Sequence, residues 1–157
     1  MKLRPLTRKD SAACHRVFLH AVHEGAKAHY SSEQRAAWAP KTARPHEDWP
    51  EMITHGFAIG ATRWGRIRGF FAMGTDGFID LAYVHPSEMG KGTAGKLYDA
   101  CENEARRLGL SHMETEASHL ARRFFEKRGW SVTAQQTVIR NAVAIENFRM
   151  EKQLSSS

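Results

Sequence analysis

Apolar and polar positions alternate with two different periods along this chain, and the change of period marks the elements. From Phe57 the character is that of strands. FAIGATRW and RIRGFFAMG read as a hairpin turning at Trp64-Gly65, and Asp76-Gly77 is a turn signal leading into a third strand. In that strand Phe78, Leu81, Ala82, Tyr83 and Val84 form a short apolar, aromatic and β-branched run. Pro86 lacks a backbone N–H, so the strand should end at Val84 or His85. From Lys96 the period becomes helical. Leu97, Ala100, Cys101, Ala105 and Leu108 share one face, Asp99, Glu102, Asn103, Arg106 and Arg107 face water, and Gly109 is a natural stop.

On either side the pattern is shorter. Leu3 to Leu6 reads as a first strand. Thr7 and Asp10 form a capping pair for a helix from about Arg8 to Glu24. Ser31 and Gln34 make a second capping box, opening a short helix that includes Trp38. Pro40 and Pro45 bracket a loop, and His46 to His55 reads as another short helix. After the long helix come a polar strand from Ser111 to Ala117, a helix capped by Ser118 and running to Lys127, and two strands joined around Arg140-Asn141: Ser131 to Ile139 and Ala144 to Lys152. The order predicts an α/β (α+β) fold: a mixed, mostly antiparallel twisted sheet of about seven strands flanked by helices. A single domain over 1–154 with a frayed tail at 155–157 accounts for the length.

Composition narrows the classes. Hydrophobic residues are 41% and charged residues 25%, as in a globular domain. No run approaches the roughly 20 apolar residues of a membrane span, and MKLRPLTRKD has no apolar leader core, so a cytoplasmic protein is expected. Cys14 and Cys101 fall on helix faces and read as buried, reduced thiols. The formal charge of +6 fits a polyanionic ligand. The basic residues are scattered and no nucleic-acid signature is present, so a phosphorylated cofactor ranks above nucleic acid. His20 and His23 lack a third ligand nearby in sequence, so no metal is expected.

Gly90, Gly92 and Gly95 lie between the third strand and the long helix, where free amides and the helix dipole favour an anion. Gly90 to Gly95 matches a dinucleotide fingerprint, but five residues separate Val84 from Gly90, and that turn should follow its strand directly. It also matches the start of a phosphate loop, but Leu97 stands where a hydroxyl must meet magnesium. The third reading is an acyl-CoA site. VHPSEMGKGTAGKLYDACENEARRLG resembles the cofactor motif of the GNAT acetyltransferase superfamily: a strand ending in V-x-P, then Q/R-x-x-G-x-G/A, then a long amphipathic helix. SHLARRFFEKRGW, from Ser118 to Trp130, is similar to the family's second segment, N-x-x-A-x-x-x-Y-E-K-x-G-F.

The resemblance implies a GNAT-like N-acetyltransferase that moves an acetyl group directly from acetyl-CoA to a primary amine of a small molecule or peptide. A non-catalytic acyl-CoA-binding or regulatory module is the alternative. It implies cofactor contacts from Ala82, Tyr83 and Val84, from the loop and helix start at Met89, Gly90, Lys91, Gly92, Thr93, Ala94 and Gly95, and from Ser118 and Phe125. Dimers are common in the family, so a homodimer is compatible. Three positions depart from its pattern: Met89 replaces a polar Gln or Arg, Ser118 replaces Asn, and Phe125 replaces a tyrosine that would protonate the departing thiolate. The attacking amine needs a base, since neutralising one near a lysine-like pKa costs roughly 4 kcal/mol at neutral pH. Asp80, placed by alternation on the face of Ala82 and Val84, and Glu116, ending the neighbouring strand, are equal candidates. The resemblance implies an acceptor pocket shaped by the helices after the first strand and by the last hairpin, roughly His29 to Trp49, with Tyr30, Gln34 and Trp38 as its candidates.

Overall fold

The computed structural model describes residues 1–41 and 47–154. The expected loop after Lys41, the start of the helix at His46 and the tail at 155–157 lie outside them. Seven strands form one sheet: β1 Lys2–Pro5, β2 Phe57–Arg63, β3 Arg66–Met73, β4 Phe78–Val84, β5 His112–Ala117, β6 Ser131–Arg140 and β7 Val143–Gln153, in the order β1-β2-β3-β4-β5-β7-β6. Every neighbouring pair is antiparallel except β4 and β5. The helices are α1 Ser11–His20, α2 Ser32–Trp38, α3 Trp49–Thr54, α4 Thr93–Arg107 and α5 His119–Glu126.

The sheet has an apolar layer on each face. Leu97, Tyr98 and Cys101 of α4 and Phe125 of α5 pack with Phe71, Met73, Met113 and Phe148. Cys14 and Val17 of α1 and Trp49 and Ile53 of α3 cover Phe70, Ala72 and Leu81 on the other face. Alternation explains this: in β3 Phe70 faces one layer and Phe71 the other. Both cysteines are free and buried, and burial pushes each thiol up to about 12, so neither is a nucleophile. Among the described residues no helix is long and apolar enough to cross a membrane.

Two local differences from the pattern matter for the site. The first helix is not continuous to Glu24. A 3-10 turn at Arg8–Asp10 precedes α1, and a wide π turn at Ala21–Gly25 follows it. Such turns displace backbone where a ligand must pass. The long helix begins at Thr93, three residues before its amphipathic period shows, because its first turn belongs to the glycine loop.

Candidate active site

β4 and β5 are joined at only two positions, Phe78 with Glu114 and Ile79 with Thr115. At the apex the Thr115 hydroxyl donates to the Ile79 carbonyl at 2.8 Å. Beyond it the parallel strands part, and a groove of about 300 Å³ opens between them. Ala82, Tyr83 and Val84 line it from β4; Met89, Gly90, Gly92, Thr93, Ala94 and Gly95 from the loop and α4; Ser118 and Phe125 from the far side. Ala21, Val22 and Gly25 of the π turn form part of its wall. Of the cofactor contacts expected from sequence, only Lys91 is absent from the lining.

The loop is shaped by backbone. Gly90 and Gly92 take φ of 79° and 80°, the left-handed region where a side chain is costly. Gly92 caps α4, and the first amide to reach back is Lys96 N–H to the Gly92 carbonyl, at 3.2 Å. The amides of Thr93, Ala94 and Gly95 therefore have no acceptor within the helix and suit a phosphate. Buried Glu88 anchors this arrangement. It accepts from Arg63 Nε at 2.7 Å and Nη2 at 3.1 Å, and from the Thr93 hydroxyl at 3.3 Å. The Arg63 guanidinium holds the Glu88 carboxyl below the usual range. Arg128 stacks on Phe124 at 4.1 Å and covers Gly95, where any Cβ would strike its guanidinium. A cation thus sits beside the helix N-terminus. Phe125 is buried against Trp130 and carries no proton to donate.

A second pocket, of about 140 Å³, meets the groove at Trp38, Tyr83 and Ser118, which line both. Asp80 and Glu116 line it together, with Tyr30, Arg140 and Asn147. Asp80 does not lie with Ala82 and Val84 as simple alternation places it. Leu81 pairs with Ala72 and Ile79 with Met73, so Asp80 is the extra residue of a bulge and has no partner on β3. The bulge lets Ile79 face the α4 layer and Leu81 the α1 layer. Asp80 is paired with His55 Nε2 at 3.0 Å, just past α3. Burial raises its carboxyl above the ordinary value, and the nearby His55 charge only partly opposes this. Glu116 lies across from Arg149 on β7, and no ion pair forms between them among the described residues.

The remaining acceptor candidates separate. Tyr30 lines the pocket, but its hydroxyl is engaged: it donates to the Glu146 carbonyl at 2.7 Å and accepts from the His119 amide at 3.0 Å. Gln34 lines neither pocket. Its amide closes the capping box with Ser31 and donates to the Ala144 carbonyl at 3.1 Å, tying α2 to β7. Trp38 stands at the junction of the two pockets, its ring 6.4 Å from that of Tyr83, whose hydroxyl burial pushes up to about 12 and so keeps protonated. Ser118 caps α5, accepting from the Ala121 amide at 3.1 Å. His55, Glu88, Arg140 and Asn147 carried no signal in the sequence.

A split parallel pair and a glycine cradle at a helix start thus lie beside a pocket that holds two carboxylates. The model of the acetyltransferase (GNAT) domain matches residues 26–154. A solved GCN5-related N-acetyltransferase from Rhodopseudomonas palustris is 32% identical, with a TM-score of 0.90 over 98% of this chain and 95% of that one. The L-methionine sulfoximine/L-methionine sulfone acetyltransferase of Salmonella typhimurium is 32% identical over 86% of this chain and 82% of its own. The structure of yncA from Salmonella typhimurium with acetyl-CoA shares the fold, with a TM-score of 0.68 at 22% identity over 100% of this chain and 95% of that one. The chain belongs to the GNAT family and is an acetyl-CoA-dependent N-acetyltransferase.

Proposed function

We propose that this enzyme acetylates the primary amine of a small molecule directly, with Asp80 as the general base. The observation that carries this reading is the junction at Trp38, Tyr83 and Ser118, where a groove suited to a phosphorylated cofactor opens onto a pocket holding two carboxylates. Bound acetyl-CoA supplies an activated acetyl thioester. The glycine loop and first turn of α4 would hold its phosphates, and the unpaired edge of β4 beyond Ile79 offers amides to the chain between phosphate and thioester. Asp80, raised by burial and oriented by His55, accepts a proton from the amine. Glu116 lies at the same pocket and attracts the cationic form of the acceptor.

Phe125 leaves its position without an acid. A thiol with a pKa of about 8.5 leaves without much help, so the base matters more than the acid. The pocket of about 140 Å³ fits a small molecule better than a folded protein's lysine. The Salmonella relative's name, that of an enzyme acting on small amine-bearing compounds, points the same way. Two carboxylates in the pocket beside the groove suit an amine acceptor, which a non-catalytic acyl-CoA-binding module does not need, and this weighs against that alternative. The test is calorimetry with acetyl-CoA, followed by thiol release across an amine library. Heat of binding and amine-dependent release are expected; absence of binding at high acetyl-CoA concentration overturns the reading.

A further inference from the structure

The acceptor pocket carries more charge than a simple amine can use. Asn147 Oδ1 is buried and accepts no hydrogen bond in the protein. A buried acceptor without a donor is costly, and a ligand N–H would satisfy it. Asp80, Glu116 and Asn147 line the same space, so two carboxylates and an amide with a spare acceptor stand where a donor-rich, cationic group would sit. Arg140 supplies the opposite charge. It reaches the pocket from the end of β6, beside the tight turn at Asn141 and Ala142, and its charge is felt at the Tyr83 hydroxyl. Among the described residues it has no ion-pair partner. Val138 and Ile145 give the same pocket an apolar wall.

We propose that the acceptor is a free amino acid, held as a zwitterion. Its amino group is received by Asp80, Glu116 and the Asn147 amide oxygen, and its carboxylate by Arg140. This rests on the acetyl-transfer reading of the same site. A guanidinium matches a planar carboxylate with two parallel hydrogen bonds, which an ammonium side chain cannot reproduce. The pocket is small, about 140 Å³, so its carboxylates and Arg140 are close enough to be met by the two charged groups of one compact ligand. A diamine would set a second cation against Arg140. A peptide N-terminus would bring a neutral amide where the carboxylate is wanted. In the transfer, the amine nitrogen bonds to the acetyl carbon and the C–S bond breaks, its electron pair leaving on sulfur. Of the two protons the ammonium gives up, one leaves by Asp80 to solvent and the other ends on the thiol.

The experiment is thiol release with acetyl-CoA over the twenty amino acids, each of the best acceptors paired with its decarboxylated amine, its amide and a short peptide beginning with it. At least one amino acid should exceed its decarboxylated amine in kcat/KM by roughly 10- to 100-fold, the loss expected for one charge-assisted pair. Arg140→Gln should remove that preference, chiefly through KM, and Arg140→Lys should restore part of it. Arg140 is exposed, so a melting curve suffices to show that the variants fold. Equal rates for acid and amine, a preference that survives Arg140→Gln, or better turnover of the peptide each overturn the proposal while leaving acetyl transfer standing. Acetyl-CoA binding without turnover of any amino acid overturns it as well. Failure to bind acetyl-CoA overturns the underlying reading instead.

Discussion

The groove proposed for the cofactor and the pocket proposed for the acceptor are built from different materials. The end of the groove that suits phosphates is made of main chain: two left-handed glycines, a helix start and the open edge of a strand. The acceptor pocket is made of side chains gathered from α2, β4, β5, β6 and β7. A surface of amides tolerates a change such as Met89 for a polar residue, because the donors remain. A surface of side chains changes its ligand with each substitution. The division explains how one scaffold keeps its acetyl donor while its acceptor is redefined.

The sharpest test of this contrast is Asp80→Asn. Turnover should fall by about 10²- to 10⁴-fold, the usual share of a positioned base, with acetyl-CoA affinity unchanged in calorimetry. In the parent enzyme, rate should fall as pH drops through the Asp80 pKa, which lies above 3.8. That limb should vanish in the variant. The same raised pKa means that ionised Asp80 costs folding stability at neutral pH, so the variant should melt no lower than the parent. Loss of acetyl-CoA affinity in Asp80→Asn would break the contrast.

Gly92→Val acts from the other side. A β-branched residue at φ 80° is strained by at least 1–2 kcal/mol, so acetyl-CoA should bind about tenfold more weakly or worse. Glu88→Gln comes next. It uncouples Arg63 from Thr93 and should raise KM for acetyl-CoA by several-fold, up to roughly tenfold, with kcat little changed. For folding stability the sign with pH is the reverse of Asp80's. The Glu88 carboxyl is depressed by Arg63, so its contribution is in place above its unfolded value of 4.5 and is lost as pH falls through the lower folded value. The smallest effect is expected from Met89→Ala, within about threefold in Kd, because a half-exposed side chain leaves the loop's amides in place.

The same difference of materials governs what could be read from sequence. Glycines, a proline, a change of hydrophobic period and a capping serine are local signals, and they placed β4, the loop, α4, α5 and nearly all of the groove. Asp80 and Glu116 were visible as carboxylates in strands. The bulge that turns Asp80 was not, since it exists only in the pairing with β3. His55 reaches Asp80 from the far end of α3, 25 positions earlier in the chain. Asn147 and Arg140 matter only because β7 inserts between β5 and β6 and brings the last hairpin over the split. Gln34 was expected in the pocket because it lies in the segment the family resemblance assigns to the acceptor, yet the capping box with Ser31 and the Ala144 carbonyl occupy its amide.

The seam between β4 and β5 has a mechanical consequence. Two residue pairs and one threonine hydroxyl are the hydrogen-bonded stitching between β4 and β5 at that line. Cohesion across it comes instead from side chains, Phe71 and Met73 on one half with Phe125, Trp130 and Phe148 on the other. Apolar contacts have no fixed direction and yield gradually, whereas a strand ladder must break bond by bond. Separation of the sheet should therefore cost fewest backbone hydrogen bonds along this line, beyond the Thr115 apex. Filling the groove would stiffen the molecule at its least stitched line.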